Sequence, residues 1–378
     1  MAHHNTILRQ IIAFLPRHEF DSLAKYHHRG NKFRSFNRWT QFMVMFIGQL
    51  SGRRSLRDLV MNIAAQTSKL YHLGIKPCSR ATLARVNGQQ PASLYEAVFR
   101  KLLSQCHHVA PKHRFKFKGK LYLLDATVVN LCLSVFPWAK FRKTKGAIKL
   151  HIGLDGDGYL PDFVDLTDGK FHESRWSKTV NLPRGSMAVF DLGFTDYKWF
   201  QTLVRNGVFF VTRLKSNARI EYLQKRPGRK SQGITVDRAI MLGDIPKPLR
   251  MVCYRDPETG KELSFVTNAE HLDAKTIAEL YKERWQIELF FKWIKGNLKV
   301  KTFLGTSRNA VLTQIWIALI VYLLLAFLKF KAKLGISMQQ MLRVLQLNLF
   351  ERRNFTDLFK PPPPQPVERR QFLLFKNL

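Results

Sequence analysis

Apolar positions follow two different rhythms along this chain. Up to about residue 110 they recur at helical spacing. "WTQFMVMFIGQLSGRRSLRDLVMNI" reads as an apolar helix, a break at Ser51-Gly52, and a second helix with a basic start. In "KPCSRATLARVNGQQP", Ser79 stands where it can cap a short helix carrying Arg80, Thr82 and Arg85, which Asn87-Gly88 and Pro91 would close. From Leu121 the period shortens. "LYLLDATVVNL", "AIKLHIGLD", "YLPDFVDLT", "MAVFDLG" and "VFFVTRLK" are short runs of strand formers bounded by Gly, Pro or Asp. "HESRWSKTV" and "DYKWFQTLVRN" between the later runs read as helices. Three strands able to form hairpins, followed by helix–strand–helix–strand, predict an α/β sheet with covering helices. Residues 216–270 are polar and turn-rich, with short strands around "PETGKE", and predict a β-rich insertion set apart from the core. Helical spacing returns from His271 through Gly296 and again from Asn309 to Lys331.

These changes divide the chain into a helical part, 1–112, an α/β part, 119–335, with its insertion at about 216–270, and a C-terminal part, 336–378. The basic run "APKHRFKFKGK" connects the first two, and the last combines a helical segment with a Pro-rich, basic tail. The longest apolar run, Ile315–Leu328, has 14 residues. A bilayer span needs about 18–20, so a buried core helix is expected and a membrane partner is not. "MAHHNTILRQ" has no long apolar stretch of the kind a leader peptide carries.

Charge narrows the partners. Lys and Arg number 62 against 27 Asp and Glu, a net charge of +35. Residues 1–120 alone hold 21 basic and 4 acidic side chains. So large an excess repels itself unless an anion neutralises it, and nucleic acid is the first candidate. Two short helices around a Gly break, the later one Arg-rich, fit a helix-turn-helix-like module; they fit a plain bundle with a basic surface equally well. The four cysteines, Cys78, Cys106, Cys132 and Cys253, form no CxxC pair, so reduced thiols are expected instead of a zinc ribbon or a disulfide framework. His27, His28, His107, His108, His151 and His172 show no metal-ligand spacing and are expected mostly at the surface or facing DNA.

Three carboxylates stand out by context. Asp125 ends the run "LYLL" and Asp191 ends "MAVF", which places both at the ends of buried strands. In "YKERWQIELFFKWIK", Tyr281, Arg284, Glu288 and Lys295 fall within roughly a 60° arc of one helix, with Trp285, Leu289 and Trp293 marking an apolar face opposite. Buried charge needs a partner, and divalent cations are suited to carboxylate oxygens and phosphate. Asp155, Asp157, Asp165, Asp168, Glu173 and Asp196 remain rivals on spacing alone, although Asp155 and Asp157 read as a hairpin turn.

The spacing Tyr281-x2-Arg284-x3-Glu288-x6-Lys295 matches the Tyr-Arg-Glu-Lys signature of the "insertion sequence four" family, and the chain resembles these DDE transposases of bacterial insertion sequences. "DATV" at Asp125 and "DLGFTDY" at Asp191 look like the family's two aspartate motifs, and "QLSGRRSLRDL" resembles the leading domain of one branch. The resemblance spans about residues 5–350. It implies a ribonuclease-H-like mixed sheet with covering helices, a β-rich insertion between Asp191 and Glu288, and a helical N-terminal DNA-binding domain. It implies that Asp125, Asp191 and Glu288 are catalytic and hold Mg²⁺, with Mn²⁺ as a substitute. Tyr281, Arg284 and Lys295 would contact DNA at the cleaved phosphate, with Lys292 beside them. Further DNA contacts are expected from Arg80, Thr82 and Arg85, and from the basic loop with Arg142, Lys143 and Lys145. In the same loop Trp138 is read as a hairpin or core residue in preference to a base-stacking one. The implied protein binds the terminal inverted repeats of its element and cuts and joins strands. It would act as a homodimer on DNA in the cytoplasm, at the nucleoid. A nuclease of the same fold that does not join, or a catalytically dead DNA-binding derivative, are the alternatives.

Overall fold

Side-chain caps start most of the N-terminal helices, each satisfying an N–H that the first helical turn leaves unpaired. In the computed structural model, which describes residues 5–31, 33, 36–141, 145–226, 233–298 and 303–360, these are α1 (Ile7–Ile12), α2 (Arg17–Tyr26), α3 (Arg38–Leu50), α4 (Leu56–Ala65), α5 (Thr67–Leu70), α6 (Arg80–Gln89) and α7 (Ser93–His107). Asn37, Ser55 and Ser79 accept the N–H of Thr40, Asp58 and Thr82, respectively. The break at Ser51-Gly52 falls as expected, after Leu50. Asn87-Gly88 does not close α6. Both residues lie inside it, and buried Asn87 accepts from the Gln41 side-chain amide of α3 at 2.8 Å.

The sheet follows as β1 (Leu121–Leu131), β2 (Gly146–Asp155), β3 (Leu160–Asp168), α8 (Glu173–Trp176), β4 (Met187–Phe190), α9 (Tyr197–Arg205) and β5 (Phe209–Arg213). β1 to β3 form two antiparallel hairpins, while β4 and β5 run parallel to β1. This is the ribonuclease-H-like α/β arrangement. The segment expected to stand apart instead extends the same sheet. β6 (Ile220–Lys225), β7 (Ile234–Leu242), β8 (Leu249–Arg255) and β9 (Glu262–Thr267) complete nine strands in the order β3-β2-β1-β4-β5-β9-β8-β7-β6. Without β9, the outer edge of β5 would expose unpaired backbone groups; Val211 to Arg213 pair there with Thr267 to Phe265.

Helices α10 (Ala274–Glu283), α11 (Trp285–Asn297), α12 (Arg308–Lys331) and α13 (Met338–Asn348) complete the fold. Ile315–Leu328 is a core helix, as its apolar run predicts: every residue in it is buried. α12 is long and apolar enough to cross a membrane, but here α3, α6, α7 and α11 pack around it. One continuous apolar core runs from Ile7 through α12 to the α11 side of the sheet, and a second, with Trp176, Phe190, Trp199 and Phe210, lies between the other face and α8 and α9.

The β2–β3 turn ties the N-terminal helices to this sheet. It is a hairpin, but its acids turn inward: Asp155 is fully buried and Asp157 is 3% exposed. Asp157 accepts from Lys112 Nζ at 2.8 Å, from the His113 N–H at 2.9 Å and from Lys120 Nζ at 3.1 Å. Lys120 also pairs with Asp155, and His107 at the end of α7 faces Asp155 and Asp162 at 3.5 and 3.4 Å. Burial alone would raise the Asp157 carboxyl, but the hydrogen bonds from Lys112 and His113 outweigh it and lower the pKa from 3.8 to about 2. A depressed carboxylate stabilises the fold above its unfolded pKa, and that contribution is lost as pH falls through the folded one. Asp157→Asn is therefore expected to cost about 2 kcal/mol at pH 7 in urea unfolding. The gap to wild type should close between about pH 4 and pH 2; a gap that persists at pH 2 would contradict the assignment.

Candidate active site

Parallel pairing sets Leu124 opposite Phe190, so the next residues on the two strands, Asp125 and Asp191, lie side by side. Asp125 is not at a strand end, as its apolar run suggested. β1 continues to Leu131, and it is β4 that stops, at Phe190, which opens the sheet beside Asp125. Asp125 Oδ1 accepts the Ala126 N–H at 2.7 Å. Asp191 Oδ1 accepts the Gly193 N–H at 2.9 Å. A Cβ on Gly193 would sit 3.1 Å from Asp191 Oδ1 and 3.2 Å from Glu173 Oε2, so the turn leaves little room for any larger residue.

The third acid arrives on α11. Arg284 spans the gap: Nη1 donates to Asp125 Oδ2 at 3.3 Å and Nη2 to Glu288 Oε1 at 2.5 Å. Lys295, two turns beyond Glu288, donates to Thr127 Oγ1 on β1. The Arg284 guanidinium lies 5.7 Å from the centre of the Tyr281 ring, which packs on Phe265 at 4.8 Å. Tyr281, Arg284, Glu288 and Lys295 thus converge on Asp125 and Asp191, but from two helices instead of one. α10 ends at Glu283 and α11 begins at Trp285, with three-residue turns from Arg284 N–H to Tyr281 O and from Ile287 N–H to Arg284 O, each 3.1 Å. The buried face also differs from the expected one. Ile287, Phe290, Phe291 and Ile294 point into the core, whereas Trp285 is 56% and Leu289 41% exposed.

Burial first, then the charge of Asp191, raise the Asp125 carboxyl from 3.8 to about 7. Burial works against the Arg284 charge, but the hydrogen bond to Glu288 and the nearby Tyr281 and Asp125 outweigh it and raise its pKa. Crowded, partly buried oxygen donors held by one guanidinium and single N–H groups are a set that a hard divalent cation fits. Among the described residues, the group whose ligand atoms lie within 4.8 Å of one another is a different one, His107, Asp155 and Asp162, where Lys120 already pairs with Asp155.

Three further residues bear on the site. Glu173, a rival acid in the sequence, lies against the Asp191 turn and pairs with Lys149 at 3.0 Å. His151, expected near the surface, is fully buried, stacked on Trp176 at 5.1 Å and hydrogen-bonded to Thr167 Oγ1 at 2.9 Å. Burial, then Lys149, lower its pKa from 6.5 to about 4, so it is neutral at pH 7. Glu283, 7% exposed, accepts from Arg114 Nη2 at 2.8 Å and from the Tyr159 hydroxyl, which pins the α10–α11 junction to the connector and the β2–β3 turn. Its only sequence signal is its place beside Arg284. Glu283→Gln is expected to cost about 1–3 kcal/mol in urea unfolding. A loss under about 0.5 kcal/mol, the level of an ordinary surface change, would show that the junction does not depend on it.

The remaining predicted DNA contacts lie elsewhere. Arg80 and Arg85 are exposed on α6, and Thr82 is half-buried with its hydroxyl accepting from Ser79 at 3.0 Å. Thr82 and Arg85 line a cleft of 840 Å³ with Arg29 and Phe33. Lys145 and Lys292 are exposed, while Arg142 and Lys143 lie outside the described residues. Trp138 donates its ring N–H to the Thr306 carbonyl at 2.7 Å, which fits a hairpin residue.

A ribonuclease-H-like sheet that gathers acids beside Arg and Lys defines an enzyme of phosphodiester chemistry. Comparison with known proteins gives the family. Residues 116–324 match the family described as "Transposase DDE domain", and residues 3–76 match a "Domain of unknown function (DUF4372)". A transposase of Sinorhizobium fredii is 33% identical over 300 residues, covering 76% of this chain and 82% of that one. A transposase for an insertion sequence element of Geobacillus stearothermophilus is 29% identical over 272 residues, 70% of each. A piggyBac transposase synaptic complex with hairpin DNA superposes with a TM-score of 0.46 at 12% identity, over 95% of this chain and 84% of that one. The chain belongs to the DDE transposase family. It is a DNA transposase, and it cuts and transfers DNA strands with divalent metal ions.

Proposed function

We propose that this transposase mobilises an insertion sequence by binding its terminal inverted repeats and cutting and joining strands at Asp125, Asp191 and Glu288. The observation that carries this reading is the meeting of three acids, two of them bridged by one guanidinium: Asp125 beside Asp191 by strand register, and Glu288 tied to Asp125 through Arg284. The three carboxylates would hold Mg²⁺, with Mn²⁺ as a substitute. Bound metal supplies activation of the attacking oxygen and charge stabilisation at the leaving one.

The chain's own residues do the rest. Arg284 offers a planar fork suited to two phosphate oxygens, and Lys295 a point charge held near β1 by Thr127. Tyr281 packs beneath Arg284 and limits where its side chain can go. Lys292 extends the cationic edge of α11. The 1–112 region is the DNA-reading part, with Arg80, Thr82 and Arg85 toward the inverted repeat; Lys145, with Arg142 and Lys143, tracks phosphates. Two ends must be held for joining, so a homodimer on DNA is the working unit, at the nucleoid in the cytoplasm.

The test is a cleavage and joining assay on duplexes carrying the element's ends, in Mg²⁺, with wild type beside Glu288→Gln. Joined products from wild type, and binding without cutting from the variant, support the reading. Cut ends that never join would leave a nuclease. Cutting by both proteins would remove Glu288 from the site.

A further inference from the structure

Arg284 holds one oxygen each of Asp125 and Glu288, two of the three acids proposed to hold a cation. Its Nη atoms take Asp125 Oδ2 and Glu288 Oε1, but its Nε is buried with no hydrogen-bond partner among the described residues. A buried donor left unpaired is costly, so this pose does not satisfy the whole guanidinium. Arg284 also lines a cleft of 350 Å³ with Tyr254, Phe265, Glu279, Tyr281, Lys282 and Trp285. Trp285 there is largely exposed. A guanidinium and a divalent cation repel strongly when they share the same carboxylate oxygens in a half-buried site.

We propose that Arg284 is an exchangeable placeholder: it neutralises Asp125 and Glu288 in the free protein and moves to a DNA phosphate when metal enters. This rests on the metal-site reading above. The consequence is a linkage. In the free protein, metal must displace Arg284 and binds weakly. With a DNA end present, a phosphate takes the guanidinium and metal binds more tightly, and DNA and metal strengthen each other by the same factor. The enzyme then holds little metal until DNA is in place.

The experiment is Mn²⁺ titration followed by electron paramagnetic resonance, on the free protein and on its complex with a pre-cut transposon-end duplex without target DNA. Without DNA, Arg284→Gln should bind Mn²⁺ about tenfold more tightly than wild type, within the ~5–150-fold range of typical couplings. The duplex should tighten Mn²⁺ binding to wild type by about tenfold and to Arg284→Gln by less than about twofold. Arg284→Lys keeps the charge but cannot span both acids, and should fall between the two. Because Arg284→Gln leaves two acids facing each other, its melting temperature is a second readout: below wild type without metal, with a larger rise on adding Mn²⁺. If Arg284→Gln and Arg284→Lys bind Mn²⁺ no more tightly than wild type while Asp125→Asn still abolishes binding, the exchange is wrong and the metal site stands. If Asp125→Asn leaves Mn²⁺ binding unchanged, the metal-site reading fails and this proposal falls with it.

Discussion

Glu288→Gln is expected to reduce strand cleavage about a thousandfold or more while leaving affinity for the element's ends within about twofold. The substitution is nearly isosteric, so the helix and its packing should survive; Ile287, Phe290 and Phe291 hold α11 on the core independently of the acid. What it removes is one carboxylate charge from the proposed set of three, in a half-buried position where charge is poorly screened. Loss of an electrostatic group aimed at the reacting centre costs about 10²–10³ in rate in other enzymes, and loss of a metal ligand adds to that. Several of the proposed DNA contacts, Arg80, Thr82, Arg85 and Lys145, lie away from Glu288, so binding is not expected to follow. A cleavage rate within about tenfold of wild type, in Mg²⁺ and with binding intact, would remove Glu288 from the chemistry.

Local pattern favoured the acids only modestly over their rivals, and the family resemblance singled them out. "LYLLDATV" and "MAVFDLG" are strand-like runs whose first acid follows four apolar residues, so their likeness could be read without knowing the pairing. That Asp125 and Asp191 lie side by side depends on the β1–β4 register, which brings together residues far apart in sequence. Residues 216–270 carried clear strand and turn signals, but nothing local says that β9 pairs with β5 across more than fifty residues. Periodicity misjudged α11 for a different reason. The helix has two apolar sets, Trp285/Leu289/Trp293 and Ile287/Phe290/Phe291/Ile294, and only the neighbouring α12 and sheet decide which is buried. The break at Arg284 was equally hidden, because its backbone stays in the helical region while Glu283 is held by Tyr159 and Arg114. His151 shows the converse. A polar residue on β2 reads as surface until α8 brings Trp176 over it.

Affinity for DNA is expected to fall about a thousandfold between 50 and 200 mM salt, the behaviour of a protein that neutralises about 6–10 phosphates. The charge supports this: 21 basic against 4 acidic residues in 1–120, with Arg80 and Arg85 exposed on α6 beside a cleft. Each phosphate contact removed should lower the slope of log affinity against log salt by about one, so Arg80→Ala/Arg85→Ala should lower it by about two. The double variant also decides between the two readings of the N-terminal helices. If α6 reads bases, affinity for the inverted repeat should drop about a hundredfold and that for random duplex only about tenfold, because each lost base contact is worth ~1–3 kcal/mol of discrimination. If both duplexes weaken equally, α6 is a phosphate track on a plain bundle, and the sequence-reading surface must be sought elsewhere in 1–112. If neither weakens, Arg80 and Arg85 are surface charges that DNA never meets, and the proposed role of α6 is gone.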